Sequence, residues 1–244
     1  MRRSDPVGRL GTTPPVPGRP TSFLLLLPGL SALLLALITW QVAADGPLVR
    51  VDERLSGVLR HPDGFSGFLS DLGDVQVAVP VLAAALVLVS WRARRAGTER
   101  WWAAPAAAAV LMALVPAVVV PLKDWIARPG TPAVPPGLGY YPSGHAATAA
   151  VAYGASTLLL LPLLGGVRAR RTLVGGCVAV NLAVGFGLVR HGYHWPLDVV
   201  ASWCLGTVLL CALWPLTLRG SGHPVSRSRN RRCSGTPSSR TGPS

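Results

Sequence analysis

The sequence predicts an all-α polytopic membrane protein, a bundle of six transmembrane helices. Three observations carry that expectation. Half of the 244 residues are hydrophobic and only 14% are charged, against about a quarter charged in an ordinary soluble domain. The apolar residues fall into blocks of roughly the 20 residues needed to cross a hydrocarbon core. The arginines collect in alternate connections between those blocks. Unsatisfied backbone groups are intolerable in lipid, and no block alternates apolar and polar residues as a barrel strand does, so each block reads as a helix.

The blocks run Phe23 to Val42, Leu72 to Trp91, Trp101 to Leu122, Ser143 to Leu164, Thr172 to Val189 and Trp195 to Leu216. The first follows basic residues and ends at Val42-Ala43-Ala44, which resembles a signal-peptide cleavage site. Its apolar core is longer than such a signal, so it reads as a retained span. The second and third are joined by an arginine-bearing connection. The fourth opens on Ser143, a natural helix N-cap. The fifth carries Asn181 and four glycines, with Gly175 and Ala179 spaced as a small-xxx-small pair, and is expected to be an interior helix. The sixth starts at Trp195-Pro196, where proline suits a first helical turn.

Residues 23–218 therefore form one membrane domain. The flanking tails, 1–22 and 219–244, are rich in Pro, Ser and Arg and are expected to be disordered. Cys177, Cys204 and Cys211 lie within spans and Cys233 in the tail, without zinc-ligand or disulfide spacing, so they read as packing residues.

The net charge of +13 suggests nucleic acid only until the charges are placed. Most arginines lie in the N-terminal tail, the connection bearing Arg92, Arg94, Arg95 and Arg100, the connection bearing Arg168, Arg170 and Arg171, and the C-terminal tail. By the positive-inside rule those segments, both termini included, are cytoplasmic. No nucleic-acid partner is expected, only the lipid bilayer and its anionic headgroups. Arg50, Arg54, Arg60, Lys123, Arg128 and Arg190 fall on the opposite, non-cytoplasmic face.

That face also gathers the groups with catalytic potential. Lys123, the sole lysine, follows the third block in a chain that otherwise uses arginine. It offers a compact ammonium, or an interfacial side chain that snorkels. Arg128-Pro129 follows. Tyr140-Tyr141-Pro142-Ser143-Gly144-His145 then leads into the fourth helix, where free amides beside Gly144 make an anion site. His145 is an ionisable group at membrane depth, a functional candidate by position. The last outward connection reads Arg190-His191-Gly192-Tyr193-His194-Trp195-Pro196-Leu197-Asp198. His194 and Asp198 share one helical face, which suits a histidine nucleophile oriented by a carboxylate or a structural pair capping the helix. Carboxylates are too few for Mg²⁺ and no compact His/Cys set suits Zn²⁺. Three cations stand ready to replace metal charge. No metal and no cofactor are expected.

Pro142-Ser143-Gly144-His145 and His194-x-x-x-Asp198, in this order and on this face, resemble the motifs of the type 2 phosphatidic acid phosphatase superfamily. The resemblance covers Lys123 to Asp198 and the six-span layout. It implies an active site at the non-cytoplasmic face of a bacterial plasma membrane, and hydrolysis of a lipid-linked phosphate or pyrophosphate. It implies that His194 attacks phosphorus, His145 protonates the leaving oxygen and Asp198 orients His194. Lys123, Arg128, Ser143, Gly144 and Arg190 are then the phosphate-binding set. Two departures stand out: the family's arginine positions fall on Gly130 and Leu188, so Arg128 and Arg190 are each displaced by two residues. A lipid phosphotransferase using the same phosphohistidine, or a non-catalytic transporter or scaffold, are the competing classes. A transporter should carry polar groups at the bilayer midplane, whereas these gather at one surface. The sequence carries no signature of oligomeric state.

Overall fold

The computed structural model describes residues 21–219. Both tails expected to be disordered lie outside them, apart from residues taken into the terminal helices. Among the described residues eight α-helices follow one another: α1 (Thr21–Ala43), α2 (Pro47–Leu59), α3 (Gly64–Asp71), α4 (Val75–Arg95), α5 (Ala103–Ile126), α6 (Gly144–Leu160), α7 (Val167–His191) and α8 (Pro196–Arg219), with a 3-10 turn at Leu161–Leu163 after α6. Six of them, all but α2 and α3, are long and apolar enough to cross a membrane. These are the six expected spans, and the chain is a multi-pass, all-helical membrane protein.

The ends differ from expectation where capping decides them. Asp74 accepts from Gln76 N and starts α4 three residues late. The third span runs on to Ile126, which puts Lys123 in its last turn rather than after it. Arg190 and His191 likewise form the last turn of α7.

The central helix is α6, two-thirds buried (67%), against 28% for α7. The expectation that the fifth span is interior therefore fails. On α7 a side chain at Gly175 or Gly176 would meet nothing within 4 Å, and Val174, Val178 and Leu182 face outward. The close approaches fall elsewhere. A Cβ on Gly187 would meet Ser70 N of α3 at 2.7 Å, and one on Gly206 of α8 would meet Ala150 of α6 at the same distance. Small residues along α6, among them Ala147, Ala150 and Gly154, let α8 approach. In lipid, where burial from water drives nothing, such packing and interhelical hydrogen bonds hold the bundle.

Two short helices, α2 and α3, fill the connection between the first two spans, where no helix was expected. Pro47 sits in the first turn of α2, a position where its missing N–H costs nothing. At 3.6 residues per turn the helix has three stripes. Leu48, Val51, Leu55 and Val58 are exposed, Val49, Asp52 and Ser56 are buried, and Arg50, Glu53 and Arg54 form a polar edge. α3 opens on a capping box in which Asp63 accepts from Ser66 N at 2.6 Å and Ser66 Oγ accepts from Asp63 N. It packs along α7 at Gly187.

Candidate active site

Antiparallel spans bring the C-terminal ends of α1, α5 and α7 to one end of the bundle with the N-terminal ends of α4, α6 and α8. The motif residues meet there. α5 ends at Ala127 in the left-handed region (φ 49), which turns the chain so that Arg128 enters the bundle, only 6% exposed. α7 ends at Gly192 (φ 88), where a Cβ would lie 2.7 Å from that of Ala133. Thr131, in the connection from α5 to α6, donates to the Gly192 carbonyl and ties the two motif-bearing loops together.

The centre of the cluster is Asp198, fully buried in the first turn of α8. Its Oδ2 accepts from His194 Nδ1 at 3.2 Å and from Trp195 N at 3.3 Å. Its Oδ1 accepts from Arg128 at 2.6 Å. A carboxylate can only accept, so Nδ1 of His194 carries a proton, and in the neutral imidazole Nε2 then keeps its lone pair. His194 is 7% exposed, with the Tyr140 ring edge-on at 6.1 Å. The other end of the Arg128 guanidinium donates to Asp52 of α2 at 2.7 Å, and Asp52 also accepts from Leu197 N at 2.8 Å. Burial pushes the Asp52 carboxyl above the usual carboxylate range, against the lowering pull of Arg128.

Backbone bonds join this cluster to the second motif. Ser143 N donates to the Asp198 carbonyl at 3.2 Å. Ser202 Oγ lies 2.8 Å from the Ser143 carbonyl and 2.7 Å from that of Asp198. Ser143 Oγ caps Ala146 N, leaving the amides of Gly144 and His145 in a first turn without intrahelical acceptors. Tyr141, wholly buried beside them, hydrogen-bonds Thr39 of α1 at 2.8 Å, and burial lifts its phenol to about 12.

His145, Gly144 and Lys123 line a cavity of about 700 Å³ between α4, α5 and α6. Along α4 the cavity reaches from Asp74 to Leu86, about 18 Å at 1.5 Å per residue. Below its polar end the wall is apolar: Val79, Leu82, Met112, Val115 and Val119. Its rim residues Val75 and Val120 are more than half exposed. His145 is near enough to His194, and Lys123 to Asp198, for their charges to interact.

Of the expected site residues, the structure brings His194, Asp198, Arg128, Ser143, Gly144, His145 and Lys123 to this end together. Arg190 goes elsewhere. Leu188, at the family's arginine position, faces the site and its carbonyl accepts from His194 N. Two residues on, Arg190 is rotated by about 200° and pairs with Asp63, the N-cap of α3, at 2.9 Å. The Ser66 amide first and Arg190 second hold the Asp63 carboxyl down at about 2. His191 beside it contacts Ser66 Oγ at 3.1 Å. Asp52 was not foreseen; the alternation of Leu48, Val51, Leu55 and Val58 after Pro47 was the signal that could have revealed its helix.

A helical membrane bundle with a buried histidine-carboxylate pair and, at the same end, a second histidine at the head of an apolar cavity is the class that fold and site define. The family model described as PAP2 superfamily matches residues 104–220, and through them the chain belongs to that superfamily. An undecaprenyl-diphosphatase of Sulfolobus acidocaldarius is 34% identical over 152 residues, 59% of this chain and 66% of the relative's own length. The crystal structure of a transmembrane PAP2 type phosphatidylglycerolphosphate phosphatase from Bacillus subtilis superposes with a TM-score of 0.67 at 20% identity, covering 83% of this chain and 99% of that one.

Proposed function

We propose that the chain is a membrane-embedded phosphatase that removes phosphate from a lipid-linked phosphate or pyrophosphate. The observation that carries the reading is His194, its Nδ1 held by a buried carboxylate, within charge range of a His145 that heads an apolar cavity. The cavity suits a lipid tail and its polar end suits a phosphate. The named activities of the two relatives, on undecaprenyl diphosphate and phosphatidylglycerolphosphate, support the substrate class.

The placement supports the two-step reaction that the resemblance implies. His194 Nε2 forms a bond to phosphorus as the bond to the lipid oxygen breaks, and His145 gives that oxygen a proton. Water then attacks the phosphohistidine, the N–P bond breaks, and His145 recovers a proton from the water. Asp198 stabilises the imidazole as it gains positive charge. Lys123 and the amides of Gly144 and His145 hold the phosphoryl oxygens, a task of positioning and electrostatics. No metal enters these steps.

The site faces away from the cytoplasm, because Arg92, Arg94, Arg95, Arg168, Arg170 and Arg171 lie at the opposite end of the bundle. The test is phosphate release by purified protein in EDTA from undecaprenyl diphosphate and from phosphatidic acid, without an acceptor alcohol. Release is expected from wild type and none from His194→Ala. Full activity in that variant overturns the assignment, and phosphate recovered only on an added acceptor alcohol, with none released free, indicates a transferase.

A further inference from the structure

Arg128 stands in the structure as the middle of a chain of contacts rather than as an open cation. One end of its guanidinium meets Asp198 and the other meets Asp52, both carboxylates being 3% exposed or less. Asp52 belongs to α2, outside the six spans and far from the motifs in sequence. It bonds twice to the site: through Arg128 to the carboxylate that holds His194, and directly to Leu197 N in the first turn of α8, one residue before Asp198. Both bonds bear on the same aim. The first fixes which Asp198 oxygen is left for His194, since Arg128 claims Oδ1. The second fixes the backbone from which Asp198 projects.

We propose that Asp52 is a positioning residue for the His194–Asp198 pair, acting through Arg128 and the Leu197 amide, and that α2 is thereby part of the active site. The proposal rests on the phosphatase reading for its kinetic test and on geometry for its spectroscopic one. Asp52 touches no reacting atom. Without its charge, Arg128 retains one buried carboxylate and the freedom to turn on it, so Oδ2 no longer points steadily at Nδ1. Misaiming a bound nucleophile by about an ångström costs on the order of a hundredfold in rate.

The experiment is a double-mutant cycle. Asp52→Asn keeps the shape and is expected to lower kcat ten- to a hundredfold with KM within about twofold, because the cavity and Lys123 are untouched. In an Asp198→Asn background the same change is expected to cost less than about threefold, since residues acting as a unit are non-additive. A merely structural Asp52 would instead lower kcat by the same factor in both backgrounds, or lower only the melting temperature. Either result overturns the proposal. Should Asp52→Asn not fold, Asp52→Glu, which displaces the charge by one methylene, carries the same expectation.

A second readout needs no turnover. In protein labelled with ¹⁵N-histidine, the Nδ1–H resonance of His194, assigned by its absence in His194→Gln, is expected to be sharp in wild type and exchange-broadened in Asp52→Asn. An unchanged resonance overturns the proposal even if kcat falls. If wild type releases no phosphate from any lipid, the phosphatase reading fails while this resonance still decides the role of Asp52.

Discussion

Replacing Asp198 by Asn changes one charge and almost no volume, and the structure says which way the new amide must turn. Both carboxylate oxygens of Asp198 accept, from Arg128 on one side and from His194 and Trp195 N on the other. Asn has a single acceptor. The charge-assisted bond from Arg128, at 2.6 Å, is the stronger claim, so the amide oxygen faces Arg128 and the NH₂ faces His194. A donor facing Nδ1 drives the proton of the imidazole to Nε2, the nitrogen that has to attack. The loss resembles that of a serine-protease triad whose aspartate becomes asparagine, about 10⁴-fold in kcat. Weakening a buried pair while Asp52 still neutralises Arg128 should cost stability near the lower end of the range for such pairs, about 3 kcal/mol. The assay is kcat from phosphate release beside a melting curve in the same detergent. A variant that folds, melts lower and keeps kcat within tenfold of wild type would refute the tautomer argument.

Further expectations follow from neighbouring contacts. Arg190→Ala should leave kcat within about fivefold of wild type, because Arg190 bonds Asp63 and not the cluster, whereas Lys123→Ala should lower kcat/KM by about a hundredfold or more, the scale of removing one oxyanion donor; equal losses would mean that Arg190 reaches the phosphate. Asp63 titrates at about 2 in the folded chain against about 3.9 in a free peptide. Its contribution to stability is therefore present above about pH 4 and lost as pH falls through 2, so the melting-temperature difference between wild type and Asp63→Ala should shrink across that window. Ala113→Phe, on the cavity wall, should raise KM for a long-chain lipid phosphate at least tenfold and leave a short-chain water-soluble one within twofold; equal effects would place the tail elsewhere.

The six spans were legible because lipid admits few solutions: a backbone that must satisfy itself and cross a fixed thickness announces its length and composition. His194 and Asp198 were legible because they are four residues apart and meet locally, although His194 lies two residues before α8 and not on a shared helical face. Arg190 was not, since two residues along α7 rotate a side chain from the site to α3, and only the assembled helices show which direction faces which neighbour. Asp52 was further out of reach. Its partner Leu197 lies 145 residues away, and its helix is too short and too mixed in character to register as a span. The interior helix was misjudged because glycines were read as packing sites without knowing which face met a partner; Gly187 does meet one, and Gly175 does not.

Asp198 serves the site with its side chain and the bundle with its carbonyl, which takes the Ser143 amide at 3.2 Å and the Ser202 hydroxyl at 2.7 Å. Helix α8 cannot withdraw from α6 without breaking the backbone bonds that seat Asp198, the residue that holds the imidazole. Heat inactivation and collapse of the bundle are therefore expected to coincide, which loss of activity followed beside a melting curve would check. On the phosphatase reading, exchange of one lipid for the next is expected on the α4 and α5 side, where a cavity lies between the helices.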